Sequence, residues 1–157
     1  MAEKILLAMD DSENSLKAVD YVAKGMQPTA SVTLFSVIPE AISACGLDSP
    51  SLSPIFKDNI KTFCAMEDRK RDVVKASMEK AKQLLVQSGF PSKDVKIKIQ
   101  KRKVGIARDI LKEAQHGKYD TLVIGRRGLS GIKQFVLGSI SNKVVQLAQD
   151  VSVIVVD

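Results

Sequence analysis

The 157-residue sequence has no tryptophan, a single histidine, two cysteines and only 4% aromatic residues. Readers of single-stranded nucleic acid stack bases on aromatic side chains. So little aromatic surface disfavours that class, even with a formal charge of +6 and a pI near 9.3. The excess of lysine and arginine suits an anionic partner such as a nucleotide, or simply a solvated surface. His116, beside Gly117, reads as a helix-end residue in a favourable dipole contact. Cys45 and Cys64 form no CxxC pair and spell out neither a zinc site nor a disulfide framework, so both read as free thiols. Long apolar runs are also missing. No stretch approaches the roughly 18 apolar residues that cross a bilayer, and Met1-Ala2-Glu3-Lys4 lacks a signal pattern, so a cytoplasmic chain is expected. Two nucleotide signatures are absent as well: there is no GxxxxGK followed by Ser or Thr, and no GxGxxG after the first strand.

What is present is ordinary for a globular protein, with 45% apolar and 27% charged residues. The length suits one domain covering residues 1–157. Lys4-Ile5-Leu6-Leu7-Ala8-Met9 is a short apolar run closed by Asp10-Asp11-Ser12, as expected of a strand buried on both faces. Ser12 or Asp11 can cap a helix in which Leu16, Val19, Val22, Ala23 and Met26 share a face, and Pro28 ends it. Ser31 to Ile38 is β-branched and apolar, with Pro39 as its stop, which predicts a second strand ending near Val37. From Pro39 to about Thr62, Ser, Pro, Gly and Asp dominate and predict a long loop. A helix is predicted from about Glu67 to Ser88 on the spacing of Val74, Met78, Ala81 and Leu85, ended by Gly89 and Pro91.

Val95 to Gln100 alternates apolar with polar, as an edge strand guarded by lysines does. The following Lys101-Arg102-Lys103 reads as a solvated turn. Gly105 introduces a third helix with Ile106, Ile110, Leu111 and Ala114, and Thr121 to Ile124 is a fourth strand. A helix from Ser139 and a strand from Val151 to Val156 complete the chain. Strands alternating with helices require crossovers. The expected fold class is therefore α/β: a three-layer, doubly wound, five-stranded parallel sheet, which binds ligands beyond the strand C-termini at its switch point.

The segment with the most chemistry in it runs from Gly125 to Ser139. A strand ends on Gly125, Gly128 and Gly131 follow, and a helix opens after Gly138-Ser139. Glycines permit close backbone approach, and free amides with the positive end of a helix attract phosphate. Hydroxyls of Ser139 and Ser141 add donors.

The spacing GxxG, nine residues, then Gly-Ser, preceded by a strand, resembles the ATP-binding signature of the universal stress protein family. Ile5 to Glu13 is similar to that family's first strand and Asp-x-Ser turn, and Gly105-Ile106-Ala107 is similar to the start of its third helix. The resemblance implies strand order 3-2-1-4-5, the adenine nucleotide alpha-hydrolase-like arrangement. It also implies an adenine nucleotide as ligand: ATP, with Mg²⁺ (or Mn²⁺) held by its phosphates. By position, Asp10 would meet the ribose or adenine, Ala8 and Val37 would line the adenine pocket, and Ile124 and Gly125 would form its floor. Arg127, Gly128, Gly138, Ser139, Ile140 and Ser141 would hold the phosphates. Arg126 stands where the family often has a small residue.

These features describe a nucleotide-responsive regulatory or stress-response module rather than a fast enzyme, because no general base is evident nearby. A slow Mg²⁺-dependent ATP hydrolase and a nucleotide-free dimeric scaffold are the alternatives. The apolar run Val151 to Val156 carries no lysine, which predicts pairing across a two-fold axis in a homodimer.

Overall fold

A computed structural model of the protein describes residues 2–10, 12–38, 53–126 and 137–157. Strand β1 (Lys4–Ala8) leads through a turn into helix α1 (Glu13–Gly25), and β2 (Ser31–Ile38) follows. The long helix α2 (Pro54–Gln87) and a single turn of 3₁₀ helix (Ser92–Asp94) precede β3 (Val95–Lys101). Then come α3 (Ile106–His116), β4 (Thr121–Gly125), α4 (Ser139–Leu147) and β5 (Ser152–Val156).

All strand pairs are parallel, and the order across the sheet is β3-β2-β1-β4-β5, as the resemblance implied. Chain order runs outward from β1 in one direction and from β4 in the other. The switch point therefore lies between β1 and β4, whose ends are in register at Ala8 and Ile124.

Alternation of side chains along each strand sorts the core into two layers. Ile5, Leu7, Val32, Leu34, Ile38 and Val123 pack with Val19 and Val22 of α1 and Val74, Met78 and Leu85 of α2. On the opposite face Leu6, Ala8, Phe35, Val37, Leu122 and Ile124 pack with Ile110 and Leu111 of α3 and Val144 of α4. Ile5, Leu6 and Leu7 are all buried, which is why the first run is continuously apolar rather than alternating. The lysines of β3 lie on an edge strand, as its alternation predicted.

Two expectations are corrected. Helix α2 begins at Pro54, within the stretch read as loop, and not near Glu67. Proline at the first helical position has a suitable φ and no amide to waste, so Ser53-Pro54 starts a helix instead of breaking one. The core-facing stripe of Val74, Met78, Ala81 and Leu85 marks only the half of α2 that is pressed against the sheet. The second correction concerns Cys64, which lies in a disulfide rather than as a free thiol. Sequence spacing does not report sulfur separation, which is fixed by the fold. The other cysteine, Cys45, lies outside the described residues. Among the described residues no helix is long and apolar enough to cross a membrane.

Candidate functional site

The three central strands end side by side. Ala8 is in register with Phe35 of β2 and Ile124 of β4, and Val37 lies two residues beyond Phe35 on the same face. Ala8, Val37 and Ile124 thus share one apolar layer at the strand C-termini. The small side chain of Ala8 sits between two larger neighbours, so this row is lowest at its middle. The amide of Met9 donates to the Phe35 carbonyl at 2.8 Å, which keeps the chain leaving β1 tied to β2.

Asp10 follows directly and is half-buried. Its Oδ1 accepts from the Ser12 amide at 2.8 Å and from the Ser15 hydroxyl at 2.7 Å. The Asp10 amide in turn donates to Ser15 Oγ at 2.9 Å. Ser12 caps α1, its Oγ accepting from the Ser15 amide at 3.3 Å. One carboxylate oxygen is therefore held by the turn, and among the described residues Oδ2 has no hydrogen-bond donor. A carboxylate fixed in this way presents a preset acceptor to a ligand hydroxyl or amine.

Gly125 closes β4 against the start of α1. A Cβ built on it would stand 2.9 Å from the Asn14 carbonyl oxygen and 3.0 Å from the carbonyl carbon, both backbone atoms. Only glycine permits that approach, which brings the Asp10 turn and the end of β4 to one place.

Helix α4 is tied to the same spot. The Gly138 amide donates to the Arg126 carbonyl at 2.9 Å, and Ser141 Oγ donates to that carbonyl at 2.7 Å. Gly138 is the N-cap and, having no side chain, offers no capping oxygen. The first-turn amides of Ser139, Ile140 and Ser141 have no partner within the helix, so they and the helix dipole provide for an anion. Ser139 is exposed, Ile140 half-buried and Ser141 buried. The proton of the Ser141 hydroxyl is already committed to backbone carbonyls, and among the described residues its amide has no acceptor.

Of the residues singled out in the sequence, Ala8, Asp10, Val37, Ile124, Gly125, Gly138, Ser139, Ile140 and Ser141 converge on this rim of the sheet. Arg127 and Gly128 lie outside the described residues. Arg126 is engaged by the neighbouring strand: its guanidinium pairs with Asp157 at 2.9 Å and its amide donates to the Val156 carbonyl at 2.6 Å. Sequence reasoning missed Ser15, which holds Asp10 through two hydrogen bonds. The available signal was its position five residues after Asp10, inside the first turn of a predicted helix. Among the described residues no group of three His, Cys, Asp or Glu side chains is placed to hold a metal ion.

Comparison with known proteins agrees with this architecture. The family model described as "Universal stress protein family" matches residues 1–157. Universal stress protein YxiE of Bacillus subtilis (strain 168) is 31% identical, the match covering 94% of this chain and 95% of that protein. Among solved structures, the hypothetical protein MJ0577 superposes with a TM-score of 0.74 at 26% identity, covering 99% of this chain and 96% of that one. A universal stress protein from Archaeoglobus fulgidus in complex with dAMP gives 0.62 at 14% identity, covering 100% and 98%. Another universal stress protein, solved with cAMP, gives 0.60 at 21% identity, covering 99% and 96%. The chain belongs to the universal stress protein family.

Proposed function

We propose that the protein binds ATP at the β1–β4 switch point and acts as a nucleotide-responsive regulatory module in stress response. The observation that carries this reading is the meeting, at one rim, of the fixed Asp10 carboxylate and the uncapped N-terminus of α4. Adenine lies against Ala8, Val37 and Ile124. A ribose hydroxyl donates to Asp10 Oδ2, and Gly125 gives the nucleoside room beside the backbone. The phosphates face Gly138 and the amides of Ser139, Ile140 and Ser141, with Arg127 and Gly128 contributing from the connecting segment. A Mg²⁺ or Mn²⁺ ion is held by the phosphates. Fold relatives solved with dAMP and with cAMP lend support to an adenine nucleotide as the ligand class.

Isothermal titration with ATP and magnesium checks the reading. The protein gives saturable heat at one site per chain. Asp10→Ala weakens binding about 10- to 100-fold, the range for a lost hydrogen bond to a charged group. Ser15→Ala leaves the carboxylate present but loose, and weakens binding about 3- to 10-fold. Titration without heat in the folded protein, or an Asp10→Ala protein indistinguishable from the parent, counts against the assignment.

We also propose that a homodimer forms through the C-terminal strand, Val151 to Val156. Among the described residues β5 pairs with β4 alone, which leaves its outer edge unpaired there, and Val153, Ile154, Val155 and Val156 are only half-buried. Light scattering at micromolar concentration reads twice the chain mass of 17.1 kDa. A reading of one chain mass contradicts the dimer.

A further inference from the structure

We infer that the protein carries a second anion site, separate from the nucleotide crevice, which takes a compact multivalent phosphate. It lies on the opposite face of the sheet. Val37 and Ile38 are consecutive in β2 and point into different layers, Val37 with α3 and α4, Ile38 with α1 and α2. A cavity of about 450 Å³ opens beside Ile38, bounded by Ile99, Lys101, Arg71 and Lys75. Among the described residues its lining is two isoleucines and three cations, with no carboxylate.

The cations are placed by the fold. Arg71 and Lys75 lie one turn apart on α2, and the intervening Val74 and the following Met78 are buried, which fixes that side of the helix toward the sheet. Lys101 is in register with Ile38, and the next residue, Arg102, donates its amide to the Ile38 carbonyl at 2.7 Å. Asp109, 1% exposed, accepts from the amides of Lys103 at 2.7 Å and Val104 at 3.2 Å, so the chain leaving Lys101 is anchored too.

Among the described residues Arg71, Lys75 and Lys101 form no ion pair, although Lys24, Lys70, Lys98 and Arg126 each do. Three like charges gathered around one cavity repel one another, and a polyanion relieves that repulsion. The volume suits two or three linked phosphoryl groups. Among the described residues no stacking aromatic lines it.

The test uses inorganic tripolyphosphate and the Gly138→Asp protein, in which an acidic side chain blocks the nucleotide crevice. Titration calorimetry in low salt shows one site per chain, weakening as salt is raised. Arg71→Gln, Lys75→Gln and Lys101→Gln each weaken binding about 3- to 10-fold, and the triple variant weakens it at least about 30-fold. ATP binding to the triple variant with Gly138 intact stays at the parental level, and circular dichroism confirms its fold. Equal tripolyphosphate affinity in the triple variant overturns the proposal. So does a protein that ignores tripolyphosphate yet binds single-stranded oligonucleotide through these three residues.

Discussion

Gly138→Asp is expected to lose ATP binding by at least about 100-fold while the protein becomes no less stable. The two effects have one cause. Gly138 is the N-cap of α4 with φ −57° and ψ 157°, a conformation open to any residue. Aspartate is among the best N-cap residues, and replacing glycine with it gains about 0.5 kcal/mol by satisfying first-turn amides. Those amides are the ones assigned to the phosphates, so the new carboxylate occupies the anion site and repels what would enter it. Thermal unfolding and calorimetry on the same preparation separate the effects. A variant that is equally stable and still binds ATP at parental affinity contradicts the placing of phosphates at α4. Gly138→Ala distinguishes charge from bulk: it adds no carboxylate, and it retains most of the affinity.

Phe35→Ala is expected to be the most destabilising single change considered, at about 3–5 kcal/mol. Phe35 is fully buried near the centre of β2, between β1 and β3, in the layer covered by α3 and α4. Truncation removes its transfer free energy and leaves a cavity that a parallel sheet, held on both sides, cannot close by collapse. For a chain of this size the loss corresponds to a fall in Tm of about 6–20 °C. The Phe35 carbonyl also receives the Met9 amide just before Asp10. ATP affinity in the surviving folded fraction is therefore expected to fall as well, through a looser β1 exit. A Tm within about 2 °C of the parent contradicts the assignment of Phe35 to the load-carrying layer.

The sequence was most readable where one periodicity governed one element. The unbroken apolar run of β1 and the alternation of β3 predicted a central strand and an edge strand, and the sheet places them there. The order of the strands came from resemblance, because local patterns carry no information about which strands become neighbours. The start of α2 was misread because Ser53-Pro54 is locally ambiguous: proline marks a turn in one context and a helix start in another. Cys64 was misread because two cysteines without a spacing motif leave the distance between sulfurs open.

The site divides along similar lines. Glycine spacing and Asp10 are visible because a motif set by residue type and separation along the chain can be read without the fold. Ser15 and the Arg126–Asp157 pair are not, since each acts through a contact that only folding creates. Arg126 is a case where a basic residue beside a glycine segment invites a phosphate role. In the fold it ties the end of β4 to the end of β5 instead.

The most direct test of ATP binding at the switch point is a titration of isotope-labelled protein followed by backbone amide resonances. Saturable shifts are expected at Asp10, Gly125, Ser139, Ile140 and Ser141. Ser92 to Asp94, at the far end of the sheet before β3, is expected to stay unchanged. A titration that leaves Asp10 and Ser139 unmoved, or that shifts only residues remote from the β1–β4 rim, would contradict ATP binding there.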